Sequence, residues 1–390
     1  MSAEPAVEPI WTPPAPRGGG GELPRRCDVV VVGGGITGVA LLHALSRRGV
    51  RALLLERDHL AAGASGRNAG FLLMGVAANY ATAVRTYGRD VAREVWHFTA
   101  QNHELLAEIL DGRAQHARRG SMTLAATRDE AALLRESEAL LGEDGLPGRW
   151  VDAGAAPPLG GLVNDADGEV DPAAAVGAIA AACAAAAELR EGVAVERLES
   201  SGGSVRVHLA GGGEVEAGAV LLATNAYTPE LVETVRIAAV RAQMLATAPS
   251  PHHVAERPTY SNFGYRYWRQ RDDGRVLLGG WRDTAVEEEV GTEAAPTARV
   301  QEHLDGHLRE MGVSAPVTHR WAGIMGFTAD ELPLVGAVEG MPGVYVCGGY
   351  TGHGMGFAVN AARLLVDHVL DGAAIPAWLR ADRPVAVARH

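Results

Sequence analysis

Three glycines in the spacing Gly33-x-Gly35-x-x-Gly38, followed by Glu56, are the residues whose types and spacing most clearly indicate chemistry. In such a run the first glycine permits a tight turn and the second lets the backbone approach a pyrophosphate. The third lets a helix pack closely on the preceding strand. Glu56 lies near the roughly 20-residue separation expected of an acid that binds the hydroxyls of an adenosine ribose. Because a carboxylate there disfavours a 2′-phosphate, these residues predict a dinucleotide site that is not suited to NADP.

The segments around these residues have the pattern of a β-α-β unit. Val29 to Val32 form a short β-branched run that is typical of a buried parallel strand. A helix is predicted from Ile36 to about Arg48, and a second strand, Ala52 to Leu55, ends directly before Glu56. The N-terminus of that helix directs unpaired amides and a partial positive charge at the anion expected over the glycines.

Composition and charge exclude several classes of function. The chain has 390 residues and a formal net charge of −12 at pH 7, which argues against nucleic acid or an anionic membrane as a partner. No stretch reaches the roughly 18 uninterrupted apolar residues of a membrane span. Cys27, Cys183 and Cys347 are widely spaced in apolar surroundings, and no His/Cys cluster has zinc spacing. They predict buried free thiols in a reducing compartment, so we expect a cytoplasmic protein without a metal site.

A second glycine-rich stretch, GASGRNAG from Gly63 to Gly70, follows the β-α-β unit. Its small residues let backbone amides approach a ligand, and Ser65 and Asn68 can form hydrogen bonds. Together with the glycine fingerprint, this loop resembles the flavin amine oxidases of the D-amino-acid oxidase superfamily. Within it the chain is similar to the branch that holds glycine oxidase, sarcosine oxidase and γ-glutamylputrescine oxidoreductase. The resemblance covers about residues 27 to 372.

The resemblance implies that the dinucleotide is FAD. It also implies that a third junction, where a strand ending at Cys347 leads through glycines and His353 into a helix, points at the pyrimidine edge of the flavin. Attachment is expected to be non-covalent, since Met325 and Arg67 stand where relatives form cysteinyl and histidyl links. The residues expected to bind FAD are Gly33, Gly35, Ile36, Thr37, Gly38, Glu56, Arg57, Gly63, Ala64, Ser65, Arg67, Asn68, Ala69, Gly70, Val195, Thr224, Asn225, Gly349, Gly352, His353, Gly354, Met355 and Gly356.

The expected fold class is α/β, with a Rossmann-like FAD-binding domain and an inserted α+β substrate domain built on an antiparallel sheet. The N-terminal stretch is rich in Pro and Gly, so a flexible arm is expected, although Ile10 and Trp11 could dock on the body. One helix is predicted from Pro172 to about Leu189. The predicted divisions are an arm (1–26), the FAD-binding domain (27–75, 161–228 and 323–375), the substrate domain (76–160 and 229–322) and a C-terminal tail (376–390).

The hairpin through Tyr265 to Arg269 is the expected wall of the substrate site. Alternation places Arg266 and Trp268 on one face and Tyr265, Tyr267 and Arg269 on the other. The pattern does not decide which face meets the flavin. The face of Arg266 is favoured because this residue matches, by the resemblance, a lysine that promotes oxygen reduction in sarcosine oxidase. The candidate catalytic residues are therefore His353, Arg266, Trp268, Tyr267 and Arg269, with Arg320 and Trp321 as second choices.

The expected activity is that of an FAD-dependent oxidase of a primary or secondary amine, an amino acid or its derivative. Such an enzyme forms an imine and reduces dioxygen to hydrogen peroxide. Sarcosine-oxidase-type relatives carry a lysine where this chain has Gly356, which argues against a shared substrate. The alternatives are a dehydrogenase that passes electrons to a quinone or carrier protein, a biosynthetic tailoring oxidase, and a nucleotide-binding scaffold with a decayed site.

Overall fold

The structure is a computed structural model of the chain, and it describes residues 4–16, 21–153, 158–185 and 187–384. Parts of the predicted arm (1–3 and 17–20) and of the predicted tail (385–390) lie outside the described residues.

Eighteen β-strands and eight α-helices form in the described part of the chain. The strands are β1 (Arg26–Val32), β2 (Ala52–Leu55), β3 (Phe71–Leu72), β4 (Ser121–Leu124), β5 (Arg149–Asp152), β6 (Gly160–Asn164), β7 (Gly168–Glu169), β8 (Ala187–Arg190), β9 (Val195–Ser201), β10 (Ser204–Leu209), β11 (Glu214–Leu222), β12 (Ala238–Pro249), β13 (Thr259–Ser261), β14 (Arg266–Gln270), β15 (Arg275–Gly280), β16 (Val317–Phe327), β17 (Leu334–Ala337) and β18 (Val344–Gly348). The helices are α1 (Ile36–Arg47), α2 (Tyr80–Tyr87), α3 (Arg89–Leu110), α4 (Arg128–Glu143), α5 (Pro172–Ala181), α6 (Thr228–Leu231), α7 (Ala298–Glu310) and α8 (Gly354–Asp371).

The first sheet has the strand order β17-β18-β11-β1-β2-β8, and β10 and β9 extend from β11. Its central strands β18, β11, β1, β2 and β8 run parallel. Both faces of such strands are buried, which explains the unbroken valine run of β1. Val29 and Val31 pack in the core that contains α1, α5 and α8, whereas Val30 and Val32 pack in a second core with β9 and β10. This is the Rossmann-like half of the fold that the sequence predicts.

The second sheet has the strand order β16-β12-β15-β14-β13-β4-β6-β5. All of its neighbouring strands are antiparallel except the pair β13 and β4. Helix α7 covers one face of this sheet and forms a separate core with Trp268 and Leu245. The mixed fold class and its antiparallel second sheet are confirmed, whereas the residue boundaries between the two domains stay predictions.

The N-terminal arm contacts the body at Ala6 and Trp11. Ala6 bridges to β16, and Trp11 is only 3% exposed. The indole Nε1 of Trp11 donates a hydrogen bond of 2.8 Å to the carbonyl of Asn68, and the guanidinium of Arg269 lies 5.2 Å from the indole ring. The prediction of a flexible arm is therefore wrong for this segment, because burial of the indole offsets the entropy of ordering the chain.

Two other segments differ from the sequence-based prediction. Helix α5 ends at Ala181, and the residues predicted to continue it form β8, which pairs with β2 at the sheet edge. Alanine and glutamate favour a helix, so the pairing of β8 with β2 overrides the local propensity here. The start of the predicted C-terminal tail also packs on the body, where Trp378 donates from its indole to Glu94 over 2.9 Å and Leu379 is fully buried.

Substituting Trp11→Ala is expected to lower the free energy of unfolding by about 3 kcal/mol, the low end for removing a buried tryptophan side chain. The matched control in the same arm is Val7→Ala, since Val7 is 75% exposed. The control should change stability by less than about 0.5 kcal/mol. Urea unfolding of the FAD-loaded protein measures both, and equal stabilities would show that the arm is not docked in solution.

Candidate active site

A single cavity of about 1240 Å³ is bordered by both sheets. Its lining includes Gly33 and Glu56 from the first sheet and Tyr267 from the second, together with His353 before α8. This volume exceeds the roughly 300–1,000 Å³ of a single small-molecule pocket. The cavity therefore has room for a dinucleotide and for a second, smaller molecule.

The junction between β1 and α1 leaves no space for side chains. A Cβ on Gly38 would overlap the carbonyl oxygen of Gly33, and a Cβ on Gly35 would lie 2.9 Å from the Oγ of Ser65. Gly33 has a φ of 108°, in the left-handed region that favours glycine. The amide of Ile36 donates to Ser65 Oγ over 2.9 Å, so the loop after β2 closes onto the start of α1. Backbone at this junction can approach a bound pyrophosphate closely.

Glu56 is held in place by two backbone amides. Its Oε2 accepts a hydrogen bond of 2.5 Å from the amide of Gly34, and its Oε1 accepts one of 2.8 Å from the amide of Asp58. Beside it, the guanidinium of Arg57 lies 4.3 Å from the ring centre of Tyr227. Glu56, Arg57 and Tyr227 all line the cavity, and they offer a carboxylate and a flat wall to one end of a ligand.

The opposite junction brings His353 and the N-terminus of α8 to the cavity. His353 is the N-cap residue of this 18-residue helix and stacks on Tyr260, with ring centres 6.3 Å apart. Burial lowers the pKa of His353 to about 4, so its imidazole is neutral at pH 7. The positive potential at this end therefore comes from the helix N-terminus. The Oγ1 of Thr351 is buried without a hydrogen-bond partner among the described residues, as expected of an atom that awaits a bound group.

Most of the residues predicted to bind FAD line this cavity. Gly38 does not, because it lies beneath Gly33, and Gly70 packs against Val170. Gly349 does not either, and its amide donates to Asn225 Oδ1 over 2.8 Å. The others line it: Gly33, Gly35, Ile36, Thr37, Glu56, Arg57, Gly63, Ala64, Ser65, Arg67, Asn68, Ala69, Val195, Thr224, Asn225, Gly352, His353, Gly354, Met355 and Gly356. The tight glycines, the carboxylate and the unpartnered hydroxyl fit a dinucleotide such as FAD, and each residue's contact with it stays a prediction.

The hairpin of β14 and β15 presents Tyr267, not Arg266, to the cavity. Tyr267 forms an aromatic cluster with Phe71 and Tyr260, with ring centres 5.3 to 6.3 Å apart. Tyr260 and Tyr267 are half-buried, and loss of solvation raises their pKa well above its ordinary value and keeps them neutral. This cluster forms an apolar wall with hydroxyl groups at the substrate end of the cavity.

Arg266 and Trp268 lie on the outer face of the hairpin, so the preference for the face of Arg266 is wrong. The guanidinium of Arg266 pairs with Asp283 over 2.6 Å and lies 4.1 Å from the ring centre of Trp281. Trp268 belongs to the core under α7. Alternation along the strand assigns the side chains to two faces. It does not show which face packs against a neighbouring element, which here is α7.

The remaining candidates from the sequence also lie outside the cavity lining. Arg269 is on the same face as Tyr267 but donates to the carbonyl of Gly70 over 3.2 Å, beneath the N-terminal arm. Arg320 pairs with Asp305 over 2.8 Å, and the indole of Trp321 donates to the carbonyl of Arg67 over 2.9 Å. These three side chains support the loop and the sheet around the cavity.

Arg282, which the sequence reasoning missed, lines the cavity. Its guanidinium lies 5.2 Å from the ring centre of Tyr265 and 5.1 Å from that of Phe327, and it has no ion pair or hydrogen bond with the described residues. Trp281 before it has a φ of 61°, rare for a bulky residue and a frequent mark of a functional turn. This turn directs Arg282 inward. The available signal was the glycine pair at the end of β15, which marks a bend in a strand.

The arrangement of a Rossmann-like sheet, two glycine-rich strand-to-helix junctions and one shared cavity defines a dinucleotide-dependent enzyme. A model of the DAO family, described as FAD dependent oxidoreductase, matches residues 28–368. The chain therefore belongs to this family of FAD-dependent oxidoreductases, as its resemblance implied, and its cofactor is FAD. Among the described residues, no helix is long and apolar enough to cross a membrane.

Individual relatives support the same assignment. The probable oxidoreductase OrdL of Rhizobium meliloti is 27% identical over 89% of this chain and 83% of its own length. The γ-glutamylputrescine oxidoreductase of Escherichia coli is 26% identical over 87% of this chain and 83% of its own length. The crystal structure of glycine oxidase from Geobacillus kaustophilus matches with a TM-score of 0.78 at 22% identity, over 93% of this chain and all of that one. This last likeness shows that the two proteins share a fold.

FAD is expected to leave the protein on acid precipitation and to colour the supernatant yellow. The reason is that neither candidate link position carries a nucleophile, since Met325 lines the cavity and the guanidinium of Arg67 is bonded to the carbonyls of Ala62 and Ala322. Absorbance of the supernatant and pellet at 450 nm measures the outcome. Yellow colour retained in the pellet would establish a covalent link.

Substituting Glu56→Ala is expected to weaken FAD binding by about 1.5–3 kcal/mol, the value of a hydrogen bond to a charged group. The measurement is fluorescence titration of the apoprotein with FAD. Glu188→Gln on the neighbouring strand β8 is the control, because Glu188 is exposed and absent from the cavity lining. If both variants bind FAD equally well, Glu56 does not contact the ribose.

Proposed function

We propose that this protein oxidises a primary or secondary amine, an amino acid or a derivative of one, to the corresponding imine. When bound, FAD supplies the acceptor for the hydride that leaves the carbon next to nitrogen. In this proposal dioxygen then accepts the two electrons together with two protons and becomes hydrogen peroxide. The names of relatives, such as γ-glutamylputrescine oxidoreductase, support a nitrogen-bearing substrate.

The observation that carries the proposal is the cation of Arg282 beside aromatic side chains in the cavity lining. A guanidinium forms a planar, bidentate pair with a carboxylate, and this one has no such partner among the described residues. Tyr265 and Phe327 flank it and restrict its orientation. A substrate with a carboxylate would satisfy this charge and place its other end in the remaining space.

The aromatic cluster next to Arg282 supports the chemistry by excluding water. Phe71, Tyr260 and Tyr267 pack edge to face at this end of the cavity. Removing water strengthens the interaction of Arg282 with an anionic substrate and protects a reactive imine from hydrolysis within the site. Loss of solvation keeps Tyr260 and Tyr267 neutral and lowers the pKa of His353, so none of these three side chains competes with Arg282 for an anionic substrate.

A dehydrogenase is the second candidate function, and the position of Arg266 favours it. A fixed cation near the flavin would favour reaction with dioxygen, and Arg266, the cation expected there, is paired with Asp283 on the outer face. The N-terminus of α8 remains as a source of positive potential. A quinone or a carrier protein could then be the electron acceptor, and a tailoring oxidase would share the same site.

The cysteines bear on where the protein works. Cys27 and Cys347 form no disulfide among the described residues, and Cys347 is buried. Free thiols persist in a reducing compartment, so we place the enzyme in the cytoplasm in this proposal.

The test is a panel of amines mixed with the FAD-loaded protein without oxygen. The panel contains glycine, sarcosine, proline, 4-methylaminobutanoate and putrescine, each with the matched acid or alcohol that lacks nitrogen. At least one amine should bleach the flavin absorbance, and no nitrogen-free partner should do so. Admitting air then separates the two candidates, since an oxidase recovers its colour and forms peroxide whereas a dehydrogenase needs an added quinone or dye. Failure of a wider amine panel would contradict the proposal.

Substituting Arg282→Met should raise the KM for a carboxylate-bearing amine by about tenfold or more, because a charge-assisted hydrogen bond of about 1.5–3 kcal/mol is lost. The KM for an amine without a carboxylate should stay within about twofold. Arg299→Met is the control, since Arg299 is exposed and paired with Glu288 outside the cavity lining. An equal rise of KM for both kinds of amine would mean that Arg282 does not bind the carboxylate.

A further inference from the structure

The carboxylate of Asp167 is a buried charge without a cation. Asp167 lines the cavity, is only 4% exposed, and forms no ion pair with the described residues. Its Oδ1 accepts a hydrogen bond of 2.9 Å from the amide of Met74, and its Oδ2 accepts one of 2.6 Å from the hydroxyl of Ser121. Both donors are neutral. Burying a carboxylate in this way is costly, and buried charges normally have a partner of opposite charge.

Asp167 lies at the end of the cavity where the substrate is expected. Its hydrogen-bond partner Met74 follows Leu73 in the chain. The carbonyl oxygen of Leu73 lies close to Gly356, and a Cβ on Gly356 would collide with this oxygen. Gly356 is in the first turn of α8, directly after His353. Tyr260 stacks on His353. Burial is the main cause of its raised pKa, and the negative charge of Asp167 raises this pKa further. The carboxylate therefore belongs to the wall that includes the start of α8.

We propose that Asp167 binds the ammonium group of the substrate and accepts its proton before oxidation. This inference rests on the proposed function. In the proton transfer, one N–H bond of the ammonium breaks and one O–H bond forms on the carboxylate, which yields a neutral amine and a neutral acid. The neutral amine has the free electron pair that becomes the π bond of an iminium ion when hydride leaves the neighbouring carbon. Loss of one N–H proton from the iminium ion to water then gives the imine.

Arg282 and Asp167, two of the charged residues in the cavity lining, then bind the two ends of the substrate. Arg282 takes a carboxylate and Asp167 takes the ammonium, so an amino acid or an ω-amino acid satisfies both charges at once. Binding of both ends fixes the orientation of the carbon chain between them. An amine without a carboxylate would still be held by Asp167, and a carboxylic acid without an amine would leave this charge unpaired.

The other titratable groups around Asp167 do not titrate in the same pH range. Burial lowers the pKa of His353 to about 4, and the same holds for His103, which lies beside the backbone of Leu73 and Ala166. Tyr260 stays neutral because burial raises its pKa. Burial also raises the pKa of Asp167, to about 7. Affinity for a cation should therefore rise with pH through about 7, as Asp167 loses its proton.

The test is binding of tert-butylammonium and of its neutral isostere tert-butanol to the FAD-loaded protein. Neither probe has a hydrogen on the carbon next to its heteroatom, so neither can be oxidised, and the result is independent of whether the protein is an amine oxidoreductase. At pH 8.5, calorimetry should show that the wild-type protein binds the cation at least about tenfold more tightly than the alcohol, as for a hydrogen bond between charged groups. The preference should decline below pH 7.

Asp167→Asn should abolish this preference, since an asparagine can keep both hydrogen bonds but has no charge. Asp165→Asn is the matched control two residues away and should keep the preference, because Asp165 is exposed and paired with Arg149 and Arg257. The proposal is overturned if the wild-type protein shows no preference for the cation, or if Asp167→Asn retains it. The two tests can also give different answers. If no amine reduces the flavin, but the preference for the cation is lost only in Asp167→Asn, the proposed oxidation is rejected and the cation site is supported.

A second variant keeps the proposal testable if Asp167→Asn does not fold. The hydroxyl of Ser121 lowers the pKa of Asp167, so Ser121→Ala should move the midpoint of the pH-dependent cation binding above that of the wild-type protein. FAD content, measured by absorbance, shows that the variant is loaded. An unchanged midpoint would mean that a group other than Asp167 controls cation binding, which overturns the proposal.

Discussion

The contact between Gly38 and the carbonyl of Gly33 is the constraint on which the rest of the structure depends. No side chain fits between them, so α1 begins directly over the end of β1. This position lets Ser65 Oγ accept from the first amide of α1 and lets Glu56 accept from the amide of Gly34. A single larger residue at this junction would push the helix, the loop and the carboxylate apart together. The cofactor end of the cavity is thus one connected unit.

The substrate end is built differently, from elements that are distant in the chain. Strands β3, β13 and β14 supply the aromatic wall. The turn after β15 carries Arg282, and α8 supplies its N-terminus. The loop before β7 supplies Asp167, whose carboxylate also holds the amide of Met74. The docked N-terminal arm closes the outside of this assembly, where Trp11 bonds to the carbonyl of Asn68 in the loop that lines the cavity. Substrate preference in this fold can therefore change without disturbing the dinucleotide end.

Much of the fold could be predicted from the sequence because the informative patterns are local. The valine run of β1, the glycine spacing and Glu56 lie within about thirty residues and follow from backbone geometry alone. The predicted helix start at Ile36 agrees with α1, and the helix predicted after the second glycine-rich junction forms as α8. The fold class and the FAD dependence are confirmed.

The substrate wall could not be predicted because it depends on which element covers which face. The alternation of side chains along the strand correctly placed Arg266 and Tyr267 on opposite faces. Which of the two faces packs against α7 depends on tertiary structure and cannot be deduced from the strand's own sequence. Arg282 enters the cavity through a left-handed Trp281, a backbone state that residue type alone does not indicate. Asp167 lies in a short polar segment between β6 and β7. The sequence carried no sign that its carboxylate is buried without a cation.

The central claim is that one cavity holds FAD between the two junctions and leaves room for an amine beside Arg282. A crystal structure of the FAD-loaded protein tests it most directly. We expect the adenosine ribose at Glu56, the flavin ring beside the N-terminus of α8, and a remaining space bounded by Tyr267, Arg282 and Asp167. A flavin ring located elsewhere, or a remaining space on the side of Arg266, would contradict the account.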